Sequence, residues 1–360
     1  MEITEIQNEI RNWKSSFNQE VTSVWQSPSN IALLKYWGKH DGQLPVNPSL
    51  SFSLSEAYST TKLTAFPDIN KPIIIGINKN SEHPFLQKIK KFWEFVIKEI
   101  PLLKDYSVDI ETQNTFPHSA GIASSASGFS ALALCVLDLA EKLSGNKLPL
   151  DIFYKYASSL SRMGSGSACR SVYGGFTIWG KTELWENSSD FYAIAINENI
   201  HADFRKLNDA ILLVSTKEKS LSSSKGHALM KEHPYAEGRK LQAKNHLDLF
   251  NKALLYGDFE LLSKLTESEA LSLHALIMSS VGGDILLEAA SLELIHRIRN
   301  ARKKGLSVFF TIDAGPNIHL IYPESEKIKA EAFIRNELND ICPENKIIFD
   351  YCGTGPIKIN

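Results

Sequence analysis

The chain has 360 residues, 43% hydrophobic and 22% charged, with a formal net charge of -2 at pH 7. This balance is typical of a globular protein with one large domain or two modest ones, and we expect two. Since there is no basic block and no acidic tail, the bulk charge does not favour nucleic acid or an anionic membrane as a partner. An anion must therefore bind at a local site.

Cysteine and histidine positions argue against a structural metal. The four cysteines form no CxxC pair, and the ten histidines form no HxxxH pair. No window reaches the roughly 18 to 20 apolar residues that cross a bilayer, and the N-terminus lacks the apolar core of a signal peptide. We therefore expect a cytoplasmic protein with reduced thiols and no metal ligands of its own.

Residues 1–22 form an N-terminal extension in our interpretation. The segment MEITEIQNEIRNWKSS is amphipathic and charged throughout. The simplest expectation for such a segment is a short arm in solvent.

The stretch SPSNIALLKYWGKHDGQLP (27–45) places a lysine at the end of an apolar run. Lys35 is followed by Tyr36, Trp37, Gly38 and Lys39. Taken alone, the pattern is typical of a strand whose end reaches solvent, with a glycine that lets the chain turn away. The segments that follow alternate or run apolar in the manner of strands: 49–56, 61–66, 71–78 and 106–114.

A loop rich in glycine and serine, PHSAGIASSAS, runs directly into a predicted helix that starts near Ser125 and ends at Gly145. Apolar residues of this helix recur at spacings of three and four: Phe129, Ala133, Val136, Ala140 and Leu143. Such a loop presents backbone N–H groups and hydroxyls at the positive end of the helix dipole, so it predicts a phosphate site. A flexible linker is the alternative. The spacing matches neither the P-loop nor the Rossmann motif.

A second helix is predicted over LDIFYKYASSLSRM, with Asp151 as the candidate N-cap. The loop after it combines Ser165 and Ser167 with Arg170. Because a guanidinium can hold a carboxylate or phosphate through two parallel hydrogen bonds, the loop could bind a second anion. A turn between helices with a solvated arginine fits the same residues equally well.

A polar, irregular stretch places a domain boundary near residues 185 to 205. Strands and helices alternate beyond it. They are a strand at 209–216, three helical stretches between about 236 and 304, strands at 307–313 and 318–322, a helix at 325–338 and a strand at 346–351. This alternation predicts an α+β sandwich of ferredoxin-like type.

Asp313 ends a run of strand formers and opens a tight turn at Gly315 and Pro316. We expect its carboxylate at the rim of the sheet, facing a cleft. An aspartate in such a position is more often a turn former that bonds its own backbone.

Four segments together resemble the signatures of the mevalonate diphosphate decarboxylases, of the GHMP kinase superfamily. They are NIALLKYWGK, AGIASSASGFSALA, GSGSACRSVYGG and DAGPN, and they follow the family's order and about its separations. The match spans roughly residues 27–356, and four long motifs in order are far more specific than any one of them.

The resemblance implies an α+β fold of GHMP kinase type. Residues 23–200 would form an ATP-binding domain like the second domain of ribosomal protein S5, and residues 201–360 a ferredoxin-like domain, with the site in the cleft between them. It also implies a reaction of the mevalonate pathway, in which ATP and mevalonate 5-diphosphate give isopentenyl diphosphate, CO2, ADP and phosphate.

The resemblance assigns catalytic roles to two residues. Asp313 matches the family's catalytic aspartate and would lie against the substrate's 3-hydroxyl, as general base or orienting acceptor. Lys35 would lie near it and near the transferred phosphoryl group, where its ammonium favours the ionised carboxylate.

Binding roles follow in the same way. Arg170, Ser165 and Ser167 would hold the substrate's carboxylate or diphosphate, and Tyr36 and Lys39 would line the substrate end. The ATP phosphates would be held by the loop residues Gly121, Ser124 and Ser125, with Mg2+ carried mainly by the nucleotide.

Two positions depart from the family's pattern. In the weaker match SLSSSKGHALM, Ser223 takes the place of a phosphate-contacting serine, but the usual methionine after the glycine is His227. His118 stands where a small residue or threonine is more usual, and a surface histidine is its simplest interpretation.

Alternatives remain within and outside the superfamily. A mevalonate 5-phosphate decarboxylase or a mevalonate 3-kinase would use similar loops, although Lys35 and Asp313 together favour the full reaction. A non-catalytic nucleotide-binding regulator would be expected to lose Asp313 or the phosphate loop. A homodimer is compatible with the sequence.

Overall fold

The structure of the chain, a computed structural model, describes residues 2–16, 19–67, 74–77, 85–117, 122–216 and 223–359. Within these ranges the chain folds into two β-sheets and the helices that cover them. The helices are α1 (Ile3–Arg11), α2 (Leu86–Glu99), α3 (Ser124–Ser144), α4 (Leu150–Gly164), α5 (Ser223–Ala228), α6 (Ala236–Tyr256), α7 (Phe259–Ser279), α8 (Ala289–Lys303) and α9 (Lys327–Glu337).

The strands divide between the two sheets. Those of the first sheet are β1 (Val21–Leu34), β2 (Ser49–Phe66), β3 (Ile74–Ile77), β4 (Ser107–Asn114), β5 (Phe176–Trp179), β6 (Ala193–Ala195) and β11 (Ile357–Ile359). Those of the second are β7 (Leu207–Leu212), β8 (Phe309–Thr311), β9 (Ile318–Pro323) and β10 (Ile347–Tyr351).

The first sheet is built around two long antiparallel strands, β1 and β2. Its main path runs β11-β1-β2-β4-β3, and β5 and β6 extend it from the start of β2. Helices α1 to α4 pack over one face, and α3 is buried along most of its length. This burial fixes the N-terminus of α3, which the sequence predicts as a phosphate site.

The second sheet has the strand order β10-β7-β9-β8, and all its pairs are antiparallel. Helices α8 and α9 cover one of its faces. Its opposite side shares a core with β1 and β2 of the first sheet, in which Leu33 and Phe52 pack in the same cluster as Ile211 and Phe309. The ends of β1 and β8 therefore meet between the two sheets, and the predicted ferredoxin-like arrangement is confirmed.

Several elements differ in extent from the predictions. Residues 49–56 and 61–66 belong to the single strand β2, because the polar residues between them still pair with β1 and β4. Asp151 lies inside the first turn of α4, whose N-cap is Pro149, so the predicted cap is wrong. The short strands β5 and β6 have too few residues for a period-2 pattern, and the sequence did not predict them.

The N-terminal extension is packed against the protein, so the expectation of an arm in solvent is wrong. Ile6 and Ile10 of α1 are fully buried, and Trp13 is nearly so. Nη2 of Arg11 donates to both carboxylate oxygens of Glu99 in α2, at 3.0 Å each. The segment is amphipathic as the sequence indicates, and its apolar side packs on the hydrophobic core between the first sheet and its helices.

Residues 353–359 return to the first sheet. β11 pairs with β1, with Trp25 opposite Lys358, and the backbone of Gly353 bonds both Ser53 and Gly175. The boundary at residue 200 stays a prediction, but the chain after β10 contributes to the N-terminal sheet.

The returning segment packs directly against the backbone of Gly174, because glycine has no side chain there. A Cβ added at Gly174 would lie 2.1 Å from the carbonyl carbon and oxygen of Thr354. The position therefore requires glycine because two backbone segments are in contact there, and neither can yield as a flexible side chain would.

We expect Gly174→Ala to lower the free energy of unfolding by about 1 to 3 kcal/mol, the usual cost of overpacking. Gly238→Ala is the matched control, since nothing lies within 4 Å of that Cβ in α6. Alanine is the better helix former, so the control should be as stable as the wild type or more so. Urea unfolding followed by circular dichroism measures both, and equal stability of the two variants would contradict the contact.

Candidate active site

A cavity of about 560 Å³ lies where the two sheets meet. Its described lining carries five basic side chains and one acidic one. The basic residues are Lys35, Lys39, Lys88, Lys91 and Arg170, and the acidic residue is Asp313. This excess of positive charge suits a ligand with several negative charges, such as a phosphate ester.

Lys35 and Asp313 form an ion pair at this cavity. Lys35 follows the last residue of β1, and Asp313 follows β8 by two residues. Nζ of Lys35 donates to Oδ1 of Asp313 at 2.6 Å. The lysine side chain is 4% exposed, whereas the aspartate side chain is 26% exposed. The sequence predicted the pairing, and the accessible partner is the carboxylate.

Burial sets the protonation tendency of Lys35. Removal from water lowers the pKa of its ammonium, while the charge of Asp313 and the hydrogen bond to it oppose that shift. The charged form of Lys35 is therefore favoured by its contact with Asp313.

Three residues of α6 and α7 hold the backbone of Lys35 in place. Its N–H donates to Oε2 of Glu269 at 3.0 Å, and its carbonyl accepts from Nη2 of Arg239 at 2.6 Å. Arg239 also binds both oxygens of Glu269 at 2.7 Å, and Nδ1 of His246 lies 2.6 Å from Oε1. We call Arg239, Glu269 and His246 the Lys35 clamp.

The clamp keeps its carboxylate ionised although it is buried. Burial alone would raise the pKa of Glu269, but the hydrogen bond from His246 and the charge and hydrogen bond of Arg239 outweigh it and hold the pKa below its usual range. A buried charge without such partners would be strongly unfavourable. Because the clamp lies on helices that cover the other sheet, it fixes β1 against that part of the fold.

The segment after Lys35 turns sharply and follows the cavity wall. Nδ2 of Asn47 donates to the Lys35 carbonyl at 3.1 Å. Gly38 has a φ of +91°, a left-handed value that favours glycine. The predicted turn is confirmed. Tyr36 and Lys39 both line the cavity, and Nζ of Lys39 donates to Gln43 at 2.8 Å.

Arg170 ends a short 3-10 helix, Gly166–Arg170, and its side chain is buried at the cavity. Nε donates to Oδ1 of Asn30 at 3.1 Å, and Nη1 donates to Oγ of Ser49 at 2.6 Å. Its guanidinium also lies within about 6 Å of the ring centres of Tyr36 and Trp179. Arg170 is therefore not a solvated residue of a simple turn, which was the alternative interpretation of the sequence. Its Nη2 has no partner among the described residues.

Serine hydroxyls line the wall between α3 and α4. Oγ of Ser125 lies 3.2 Å from Oγ of Ser165, which lies 3.5 Å from Oγ of Ser167. No side chain caps α3, and Ala123 before it has the left-handed φ of 48°. Such strain in a residue other than glycine clusters at functional sites. The two loops predicted to bind anions therefore share one wall.

Not every predicted residue can be placed. Ser124 begins α3 but is not among the described residues that line the cavity. Gly121 and His118 lie outside the described residues. Ser223 begins α5, and its side chain lies outside the described part.

Sequence reasoning missed several residues at the site. Lys88 and Lys91 of α2 line the cavity together with Phe92 and Phe95. Their i, i+3 spacing places both lysines near one face of an amphipathic helix, but a solvent-facing stripe has the same pattern. The sequence did not predict the residues of the Lys35 clamp, because an isolated charged residue in a helix does not indicate which residue it will pair with.

The two-sheet fold and the basic cavity together fit an enzyme of the GHMP kinase type. The diphosphomevalonate decarboxylase-like N-terminal domain model matches residues 27–192, and the mevalonate 5-diphosphate decarboxylase C-terminal domain model matches residues 210–352. The chain belongs to the diphosphomevalonate decarboxylase family. It is an enzyme, and its reaction is the decarboxylation of mevalonate 5-diphosphate in isoprenoid biosynthesis.

Individual relatives agree with this assignment. Diphosphomevalonate decarboxylase of Saccharomyces cerevisiae is 31% identical over 87% of this chain and 81% of its own length, and that of Bos taurus is 30% identical over 81% and 74%. The Staphylococcus aureus mevalonate diphosphate decarboxylase structure has a TM-score of 0.82 and 28% identity, covering 95% of this chain and 99% of that chain. The structure of MDDEF in complex with MVAPP, AMPPCP and magnesium has a TM-score of 0.79, 28% identity and the same coverage. The predicted GHMP fold is confirmed.

No group of three or more His, Cys, Asp or Glu residues in the described part of the chain could hold a metal ion. None of the helices described there combines the length and the apolar character that a bilayer crossing requires.

We expect Arg239→Met to lower the free energy of unfolding by about 3 kcal/mol, because it leaves Glu269 buried with one partner fewer. The loss of the bond to the Lys35 carbonyl should also reduce kcat in the protein that remains folded. Chemical denaturation and steady-state kinetics measure the two effects.

Arg297→Met is the matched control, since Arg297 forms a pair with Asp340 at the surface. We expect its unfolding midpoint to stay nearly unchanged. A clamp variant as stable and as active as this control would show that the clamp does not hold Lys35.

Proposed function

We propose that Asp313 and Lys35 are the catalytic residues of the decarboxylation, and that the serine and arginine loops hold its two phosphorylated substrates. The observation that carries the proposal is the 2.6 Å ion pair between the two residues, at the wall of a cavity whose other charged residues are all basic. The family assignment supports it, since both residues lie in segments that resemble the family's signatures.

The chemistry explains why a phosphate-transfer fold performs a decarboxylation. A tertiary hydroxyl is a poor leaving group at neutral pH, whereas a phosphate ester departs readily. In the first step the oxygen of the 3-hydroxyl bonds to the γ-phosphorus of ATP, and the bond from phosphorus to ADP breaks. In the second step the C3–O bond breaks toward phosphate. The electron pair of the C–CO2 bond then forms the alkene, and CO2 leaves.

Asp313 accepts the proton of the 3-hydroxyl or orients that hydroxyl toward phosphorus. Its carboxylate is partly exposed at the cavity wall and Oδ1 accepts from Nζ of Lys35, so a substrate in the cavity can reach this carboxylate. General base catalysis of this kind contributes about 10² to 10⁴-fold in rate. Nε2 of His274 lies 3.1 Å from the Asp313 carbonyl oxygen and fixes the turn.

Lys35 places a positive charge beside the phosphoryl group, whose negative charge shifts during its transfer. Its ammonium has little freedom, because its side chain is buried and its backbone is held by the clamp. A charge held in this way stabilises the transferred phosphoryl group without reorganising during the reaction.

Arg170, Ser165 and Ser167 bind the carboxylate or diphosphate of the substrate. Nε and Nη1 of Arg170 are held by the protein, so Nη2 is the donor that faces an incoming anion. Lys39 and Tyr36 line the same end of the cavity. Burial lowers the pKa of Lys39, and the nearby charge of Lys88 lowers it further, which an anion between the two would reverse.

ATP binds with its phosphates at the uncapped N-terminus of α3, next to Ser125. Ser124 and Gly121 belong to the same segment and are proposed as further contacts of the ATP phosphates. Ser223 is proposed as a further contact of the substrate. Mg2+ fits as an ion brought by the nucleotide, because it commonly binds through phosphates and few carboxylates. Its charge would neutralise part of the triphosphate.

We expect Asp313→Asn to lower kcat for CO2 release by about 10² to 10⁴-fold, with ATP affinity changed little. Asparagine keeps the shape but removes the charge and the proton acceptor. Steady-state CO2 release and ATP titration by calorimetry separate the two effects, with the exposed Asp340→Asn as control. Turnover near that of the wild type would remove Asp313 from the mechanism.

The three possible substrates distinguish the proposed reaction from its relatives. With ATP and Mg2+, we expect mevalonate 5-diphosphate to release CO2 and ADP in equal amounts, and mevalonate and its 5-phosphate to release far less. ADP without CO2 would indicate a 3-kinase. Equal CO2 release from the monophosphate would contradict the preference for the diphosphate.

A further inference from the structure

His227 occupies a position at the cavity where its two ring nitrogens have different surroundings. The residue lies in α5 and is 8% exposed. Its ring stacks on Tyr36 at a centroid distance of 4.4 Å and lies 5.0 Å from the ring of Trp37. It lines the same cavity as Arg170 and Lys39.

The backbone of Gly38 determines which nitrogen carries the proton. The Gly38 N–H donates to Nδ1 of His227 at 3.1 Å. A nitrogen that accepts a hydrogen bond has no proton, so the neutral ring carries its proton on Nε2. Burial, followed by the charges of Lys39 and Arg170, lowers the pKa of His227 to about 3, and the ring is neutral at physiological pH.

Nε2 is therefore an N–H donor, and it has no partner among the described residues. Nε2 is not among the fully buried atoms that lack a partner, so it is accessible at the cavity that His227 lines and can donate to a ligand there. The two cations that depress the pKa of His227 are those proposed to hold the substrate anion, so that anion comes close to the ring.

We propose that His227 is a substrate-binding residue that donates its Nε2–H to the phosphate-bearing end of the substrate. The inference rests on the proposed function and adds a contact to it. A neutral donor adds a hydrogen bond to the anion without placing a third positive charge beside Lys39 and Arg170.

Substituting His227 by asparagine or by glutamine tests the roles of its two ring nitrogens separately. In His227→Asn the amide oxygen takes the place of Nδ1 and can accept from Gly38, but nothing replaces Nε2. In His227→Gln the amide N–H₂ reaches the place of Nε2, and the Gly38 N–H loses its acceptor. His296→Asn, at an exposed position in α8, is the control for the substitution itself.

We expect His227→Asn to raise KM for mevalonate 5-diphosphate by about tenfold or more, the usual cost of losing a hydrogen bond to a charged group. KM for ATP and the melting temperature should stay near the wild-type values. His227→Gln should lower the melting temperature and keep KM for mevalonate 5-diphosphate within about threefold, a smaller effect than a charged hydrogen bond. Equal KM values for the asparagine variant and the wild type would overturn the proposal.

A second measurement does not depend on how the variants fold. In protein labelled with 15N-histidine, the His227 signals should show a proton on Nε2, and mevalonate 5-diphosphate added without ATP should shift them. A ring protonated on Nδ1, or signals that stay unmoved when the substrate binds, would overturn the proposal. If the wild type neither binds nor decarboxylates mevalonate 5-diphosphate, the proposed function fails instead.

Discussion

The ion pair between Lys35 and Asp313 joins residues 278 positions apart, each just beyond a strand of a different sheet. It can form only when the two sheets share their core, because neither side chain reaches the other from an isolated domain. The clamp around the Lys35 backbone adds a second connection, from β1 to α6 and α7. Packing between the sheets and the geometry of the cavity are thus one constraint, because a shift of either sheet would separate Lys35 from Asp313.

The electrostatics of the cavity follow from the way in which its cations are buried. Arg170 and Lys35 are both held almost fully away from water, and burial lowers the pKa of each. Their positive charge is costly without an anion, so a phosphorylated ligand that enters the cavity relieves part of that cost. Burial, followed by the charges of Lys39 and Arg170, lowers the pKa of His227 and keeps its ring neutral, so the ring can act as a hydrogen-bond donor.

Much of the site could be predicted from the sequence, because Lys35 and Asp313 lie in short motifs just beyond the ends of strands. The turn at Gly38, the cap at Gly145 and the pairing of Lys35 with Asp313 depend on local chemistry or on the family resemblance. The Lys35 clamp could not be predicted, since a charge in a helix does not indicate a partner in another element. The packing of α1 against the core was also not predicted, because the sequence of an amphipathic segment does not show whether the rest of the protein offers a hydrophobic surface to cover.

The return of β11 to the first sheet has a consequence for how the protein is made. During synthesis the N-terminal part of a chain generally begins to fold first. Here the edge of β1 at Val24 to Gln26 stays open until residues 357–359 have been made, and an open edge is a template for pairing with other chains. Lys35 directly follows that same strand. During synthesis, the strand that precedes Lys35 is therefore open to mispairing until the segment that forms β11 has been made.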